Sequence, residues 1–137
     1  LEQVKEYKNV SDVELATVHY QTGLNYKWIA DKINAEEASQ YYQTSIDILN
    51  KAISYWKEKN ENQELNRLRA KINIGLCELN LNTNGAKSNK IATELQNNVT
   101  KIKDPKLASL LVEKPENKSD FTLIETAESA LSSYGEK

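Results

Sequence analysis

The chain has 137 residues, the length of one domain with its own core. Only four glycines and two prolines occur, which leaves few turn residues for an all-β fold. Eighteen basic residues stand against 20 acidic ones, for a formal charge of −2, so no basic excess exists to neutralise nucleic-acid phosphates. We therefore expect one all-α domain over residues 1–137 and no nucleic acid as a partner.

The same composition indicates where the protein is located and whether the sequence is part of a longer chain. Charged residues interrupt every apolar run before it reaches the roughly 18 residues that a membrane-spanning helix needs, so no membrane insertion is expected. The single cysteine, Cys77, fits a cytoplasmic location. Methionine is absent, even at position 1, which suggests a domain from a longer chain. The oligomeric state stays open.

The first strong helical pattern follows Ser11. Ser11 and Glu14 have the spacing of a capping box, which predicts a helix from Asp12. Gly23 lies inside this helix and costs about 1 kcal/mol relative to alanine, so we expect another helix to approach it closely. Upstream, the segment Leu1 to Val10 has weak helical spacing. Two apolar stripes on the helix indicate two packing neighbours: Val13, Ala16, Tyr20 and Gly23, and Leu15, Val18, Tyr26, Ile29 and Ile33.

A second helix is predicted after Asn34, which with Glu37 repeats the capping signal. Its apolar residues follow steps of four and three and predict a helix that reaches Lys59. Trp56 extends this stripe and is expected to be buried. The stripe consists of Ala38, Tyr42, Ser45, Leu49, Ala52 and Trp56.

The third and fourth helices follow the same logic. The third is predicted from Gln63 to about Asn82, with two apolar stripes that make it the second centre of the core. Residues 83–85 are a stop and turn, with Gly85 suited to a positive φ. The fourth helix carries a single stripe and should end before Pro105. The predicted core includes Tyr42, Leu49, Ile72 and Leu79, and Cys77 is expected to be buried and inert.

The end of the chain is predicted to form a third hairpin, or a cap that covers the open end of the fold. Pro105 can start a short helix that extends to Val112, and residues 114–118 form a loop. Asp120 can cap a last helix that Gly135 closes. The predicted antiparallel hairpins are Asp12 to Lys59, Gln63 to Lys103 and Pro105 to Tyr134.

The first hairpin resembles the tetratricopeptide repeat, a helix-turn-helix unit. Its matching positions, small or aromatic as in the repeat, are Gly23, Tyr26, Ala38, Tyr42 and Ser45. Gly75 and Ala92, with the break at Pro105, resemble a second unit. The resemblance implies a stack of antiparallel helical hairpins. A compact helical bundle is the alternative fold.

In that family, the first helix of each repeat lines a concave groove that holds a protein or peptide. The resemblance therefore implies a binding scaffold without catalytic activity. Asn73 corresponds to one member of the carboxylate clamp of chaperone-binding repeats, whereas Tyr20 and Leu24 stand where that clamp has lysine and asparagine. The implied groove residues are Thr17, Tyr20, Leu24, Lys27, Trp28, Arg69, Asn73, Leu76 and Asn80.

Two other functions remain open. A structural bundle or surface protein would have no groove and would bury its aromatic residues. A fragment of a peptide-pheromone receptor is implied by a second resemblance, to the repeat helices of Gram-positive receptors. That resemblance involves Tyr20, Gln21, Gly23, Leu24, Tyr26 and the range Asn73 to Cys77.

Catalytic and metal-binding patterns are missing from the sequence. His19 is the only histidine, and Glu14, five residues before it, does not share its helix face, so a structural or surface role is expected. Glu36 and Glu37 fall in the first turn of a helix, where acidic side chains favour the helix dipole. No phosphate-loop, nucleophile or zinc spacing occurs. We expect no catalytic residue, metal or cofactor.

Overall fold

The computed structural model describes residues 11–57, 60–81, 85–111 and 119–135. These ranges are all-α, as predicted, and more than half of the 137 residues are helical. The predicted segments Leu1 to Val10 and 114–118 lie outside the described residues. The helices are α1 (Asp12–Lys32), α2 (Ala35–Tyr55), α3 (Glu61–Leu81), α4 (Gly85–Ile102), α5 (Pro105–Ala108) and α6 (Ser119–Gly135).

Side chains cap the starts of α1, α2 and α3. The Ser11 hydroxyl accepts a hydrogen bond from the Glu14 N–H at 3.2 Å, and the Glu14 carboxylate accepts one from the Ser11 N–H at 3.3 Å, which confirms the capping box. Asn34 caps α2 by accepting from the Glu37 N–H at 3.2 Å. Asn60 does the same for α3, which therefore begins two residues earlier than predicted. These caps satisfy donors that a helix start leaves free.

The prediction that α2 reaches Lys59 is wrong. The helix ends at Tyr55, and Trp56 takes an extended backbone that leaves its side chain 5% exposed. Arg67 of α3 donates to the carbonyl oxygens of Ile53 and Trp56, at 3.1 Å each. A guanidinium on the last carbonyls of a helix ends it by satisfying acceptors that another turn would otherwise use. Packing of Trp56 and this contact from α3 therefore set the end of α2.

The remaining boundaries differ by a few residues. The described part of α3 ends at Leu81, and Gly85 has the predicted positive φ, at 92°, where α4 begins. The short helix α5 ends at Ala108 rather than Val112. Asp120 lies in the first turn of α6 rather than at its cap.

Each of the longer helices packs on its neighbours along the chain. The helix α1 packs on α2, α2 on α3, α3 on α4, and α4 on α6, while α3 also touches α1 and α6. Two buried clusters result, one between α1, α2 and α3 and the other between α3, α4, α5 and α6. The central helix α3 contributes to both clusters, as predicted from its two stripes.

The close approach predicted at Gly23 is present. A Cβ atom added there would lie 2.7 Å from the Cγ and Cδ2 atoms of Leu49, which is shorter than a van der Waals contact. The Gly23 carbonyl also accepts a hydrogen bond from the buried Ser45 hydroxyl at 2.7 Å. Glycine thus lets the α1 and α2 backbones approach closely enough to bury Leu49 completely.

The core prediction is correct except at Leu79. Tyr42, Leu49 and Ile72 are buried, with exposed fractions of 9%, 0% and 0%. Leu79 is only partly buried, at the edge of the second cluster. We therefore expect Leu79→Ala to cost less than the roughly 2 to 5 kcal/mol typical of a buried leucine, because a half-exposed site leaves a smaller cavity.

Candidate functional site

The solvent-facing stripe of α1 carries the most exposed aromatic residue that the structure describes. Trp28 is 63% exposed, and the Lys32 ammonium lies 5.8 Å from the centroid of its ring. Val13 is 46% exposed and Thr17 is exposed, whereas Leu24 is half-buried. At helical spacing these positions share one face with Trp28. We call Val13, Thr17, Leu24 and Trp28 the α1 surface.

Lys27 forms an ion pair within α1 with a carboxylate that also contacts α2. Its ammonium lies 3.1 Å from the Asp31 carboxylate, whose other oxygen accepts a hydrogen bond from the Tyr42 hydroxyl at 2.6 Å. Burial raises the pKa of the Tyr42 hydroxyl, and this bond to Asp31 raises it further. The ammonium of the predicted groove residue Lys27 is therefore paired with Asp31, the residue that joins the two helices of the first hairpin.

A chain of polar contacts links α1, α3 and α6. The Asn73 amide donates to the Tyr20 hydroxyl at 3.3 Å and to the Arg69 carbonyl at 2.9 Å. The Arg69 guanidinium donates to both carboxylate oxygens of Asp120, at 2.7 and 2.6 Å. Tyr20 also contacts the edge of the Trp56 ring at 5.8 Å between centroids. Burial raises the pKa of Tyr20 to about 12, which keeps its hydroxyl protonated.

These contacts change the role of three predicted groove residues. Asn73 and Leu76 are only 5% and 6% exposed, and the Arg69 side chain is 19% exposed within its ion pair. None of them presents an open binding surface, because neighbouring helices cover this part of α3. Asn80 is exposed and lines a separate cleft of about 240 Å³ at the ends of α1, α2 and α3. The predicted groove is therefore not continuous across α1 and α3.

The histidine and the cysteine of this chain, His19 and Cys77, are both packed into the core. His19 is 3% exposed and stacks on the Tyr55 ring at 5.8 Å. Cys77 is fully buried, with its Sγ atom 3.7 Å from the Ser45 hydroxyl, and burial raises the pKa of its thiol to about 11. A thiol with this pKa is a poor nucleophile at neutral pH. Both residues have the structural placement that the sequence predicted.

The described residues contain neither a cluster of metal ligands nor a membrane-spanning helix. No group of three or more His, Cys, Asp or Glu side chains there could hold a metal ion. No helix within these ranges has both the length and the apolar character needed to cross a membrane.

Comparison with known proteins finds no matching family model, curated protein or solved structure.

Sequence patterns missed two features of this architecture. The partner of Arg69 is Asp120, which is 51 positions away along the chain and has no local signal. A cleft formed by α2, α3 and α4 was also missed, and none of the predicted groove residues lines it. The sequence signal for that cleft is a pair of oppositely ordered charges on two neighbouring helices.

Proposed function

We propose that this chain is a non-catalytic helical scaffold that binds a protein or peptide partner through the α1 surface. The observation that carries the proposal is the 63% exposure of Trp28, in a chain whose other tryptophan is 5% exposed. A solvent-facing tryptophan has a large apolar area to bury against a partner and is over-represented among residues that dominate binding energy. The ammonium of Lys32 near its ring adds a polar rim to this contact.

The order of helix packing supports a stacked-hairpin architecture like that of tetratricopeptide repeats. Each of the longer helices contacts the next, and contacts between α1 and α3 and between α3 and α6 connect next-but-one helices. This pattern is expected when antiparallel hairpins stack in sequence. In such a stack α1, α3 and α6 occupy equivalent positions, and the polar chain from Tyr20 to Asp120 joins them.

The test is to isolate partners with the intact chain and then compare the affinity of single variants for one purified partner. Trp28→Ala should weaken binding by more than about fivefold, equivalent to roughly 1 kcal/mol, without lowering the melting temperature. Phe121→Ala is the matched control, because Phe121 is also exposed, at 42%, but lies on α6. Unchanged affinity for Trp28→Ala would show that the partner binds outside the α1 surface and would contradict the proposal.

A further inference from the structure

The cleft missed by the sequence patterns lies along α3, between α2 and α4, and has a volume of about 410 Å³. Isoleucines from all three helices give it an apolar lining: Ile46, Ile53, Ile74 and Ile91. None of its lining residues belongs to α1. The cleft is therefore a surface separate from the one that carries Trp28.

Contacts at Gly75 and Cys77 define the register of the three helices. A Cβ atom added to Gly75 would lie 3.1 Å from the Leu95 side chain, so positions 75 and 95 face each other across α3 and α4. The Cys77 thiol lies 3.7 Å from the Ser45 hydroxyl, which places 77 opposite 45 across α3 and α2. Consecutive helices joined by short connections and packed on each other run antiparallel.

Charged residues of the cleft follow opposite orders on α3 and α4. Lys71 precedes Glu78 by seven residues, whereas Glu94 precedes Lys101 by seven. Seven residues are two helical turns, so each pair lies on one face and spans about 10 Å. Because the helices are antiparallel, like charges meet: the two lysines at one end of the cleft and the two glutamates at the other.

The ionisation of Glu78 agrees with this arrangement. Its pKa is raised by burial and next by the charge of Glu94, while Lys87 lowers it. The carboxylates of the half-buried Glu78 and the exposed Glu94 repel each other, and such a pair favours a cation nearby. The lysine end has the complementary preference for an anion.

Side-chain amides lie between the two charged ends. Asn50 lines the cleft from α2, and Asn97 and Asn98 line it from α4. An amide both donates and accepts hydrogen bonds. A bound helix satisfies its own backbone groups, whereas an extended segment leaves N–H and C=O groups for such amides to pair with. The lining therefore suits an extended chain better than a helix.

We propose that this cleft binds an extended peptide segment with a basic and an acidic side chain four residues apart and an apolar side chain midway between them. In an extended chain these three side chains point to the same face, and four residues span about 13 Å, within reach of both ends. The basic side chain lies at Glu78 and Glu94, the acidic one at Lys71 and Lys101, and the apolar one on the isoleucines. This site is additional to the α1 surface.

The first test is a titration of the ¹⁵N-labelled chain, followed by NMR, with a capped nonapeptide. The peptide has one lysine and one glutamate four residues apart, valine midway between them and serine elsewhere. We expect saturable shifts of the Asn50, Asn97 and Asn98 side-chain amides. Matched peptides with two lysines or two glutamates should bind about fivefold more weakly, because one end of the cleft then repels them.

The second test reverses the charge of one end. In the double variant Lys71→Glu with Lys101→Glu both ends are acidic, so the peptide with two lysines should become the tightest ligand. Lys101 is exposed, so Lys101→Glu alone, which leaves that end without net charge, must at least abolish the preference for the mixed peptide over the peptide with two lysines. The control, Lys57→Glu with Lys90→Glu, makes the same change of net charge at exposed positions outside the cleft.

Binding at the cleft and binding at the α1 surface can be tested independently. Trp28→Ala should leave the peptide titration unchanged, since α1 contributes nothing to the cleft. The inference is overturned if none of the peptides shifts the cleft amides, if the shifts fall elsewhere, or if Lys101→Glu leaves the ranking of the peptides unaltered. Loss of partner binding at the α1 surface alone has no bearing on these measurements.

Discussion

Arg69 and Asp120 form a bidentate ion pair that fastens α3 to α6, with nitrogen–oxygen distances of 2.7 and 2.6 Å. The carboxylate side chain is 2% exposed and the guanidinium 19%. Charges this deeply placed depend on their pairing, because removal of one partner takes away interactions that offset the desolvation of the other. Arg69 thus belongs to the framework that holds the last helix, not to an open binding groove.

Arg69→Ala should therefore lower the free energy of unfolding by about 3 kcal/mol, measured by urea denaturation, since it removes the guanidinium that pairs with the buried Asp120 carboxylate. The control is Lys103→Ala. Lys103 pairs with Glu128 of α6 at 3.1 Å, but the two side chains are 52% and 47% exposed. An exposed pair contributes about 1 kcal/mol or less. Equal losses in the two variants would show that burial of the Arg69 pair has no energetic consequence.

Gly23→Ala should destabilise the chain although alanine is the better helix former. The gain in helix propensity is about 1 kcal/mol, whereas forcing a methyl group against Leu49 costs about 1 to 3 kcal/mol. Thermal unfolding followed by circular dichroism would measure the lower melting temperature. Gly135→Ala is the control, because nothing lies within 4 Å of its added Cβ atom. A melting temperature that rises for Gly23→Ala would contradict the close approach of α1 and α2.

The two tryptophans should separate stability from binding. Trp56→Ala removes a buried side chain and should cost about 3 to 5 kcal/mol of unfolding free energy. Trp28→Ala removes an exposed one and should change that free energy by no more than about 0.5 kcal/mol. Denaturant midpoints of the two variants provide the measurement. If both variants unfold equally early, Trp28 is part of the core and the α1 surface is wrongly assigned.

Loss of the phenolic proton of Tyr20 should make the folded chain less stable at alkaline pH. Its pKa rises from 10.0 to about 12 on folding, mainly through burial, so the folded state binds the phenolic proton more tightly than the unfolded state. Stability from this group is complete below pH 10 and is lost as pH rises from 10 towards 12. A pKa that rises from 10.0 to about 12 corresponds to about 2 to 3 kcal/mol of unfolding free energy.

The measurement is the unfolding free energy of the wild-type chain and of Tyr20→Phe across this pH range. The variant keeps the aromatic ring beside Trp56 but has no proton to lose. Below pH 10 the wild type should exceed the variant by a constant amount, and between pH 10 and 12 that difference should shrink. A constant difference up to pH 12 would show that Tyr20 does not titrate with unfolding.

Local patterns in the chain were enough to establish the all-α class, the starts of α1 and α2 and most of the core. The capping box at Ser11 and the stripe that contains Leu49 involve residues three or four positions apart. Their geometry can therefore be predicted from the spacing of residues along the chain. The close neighbour at Gly23 was also predictable, because a glycine lowers the stability of a helix interior and this loss must be offset by packing.

Contacts between distant segments decided the rest. The end of α2 depends on Arg67 from the next helix, and the role of Arg69 depends on a carboxylate 51 positions away. Exposure differs for the same reason: Trp28 and Leu76 both fit a groove-facing register, but only Leu76 is covered, because α3 is packed between the other helices. Helical periodicity specifies which residues share a face, whereas tertiary packing determines which of those faces remain in contact with water.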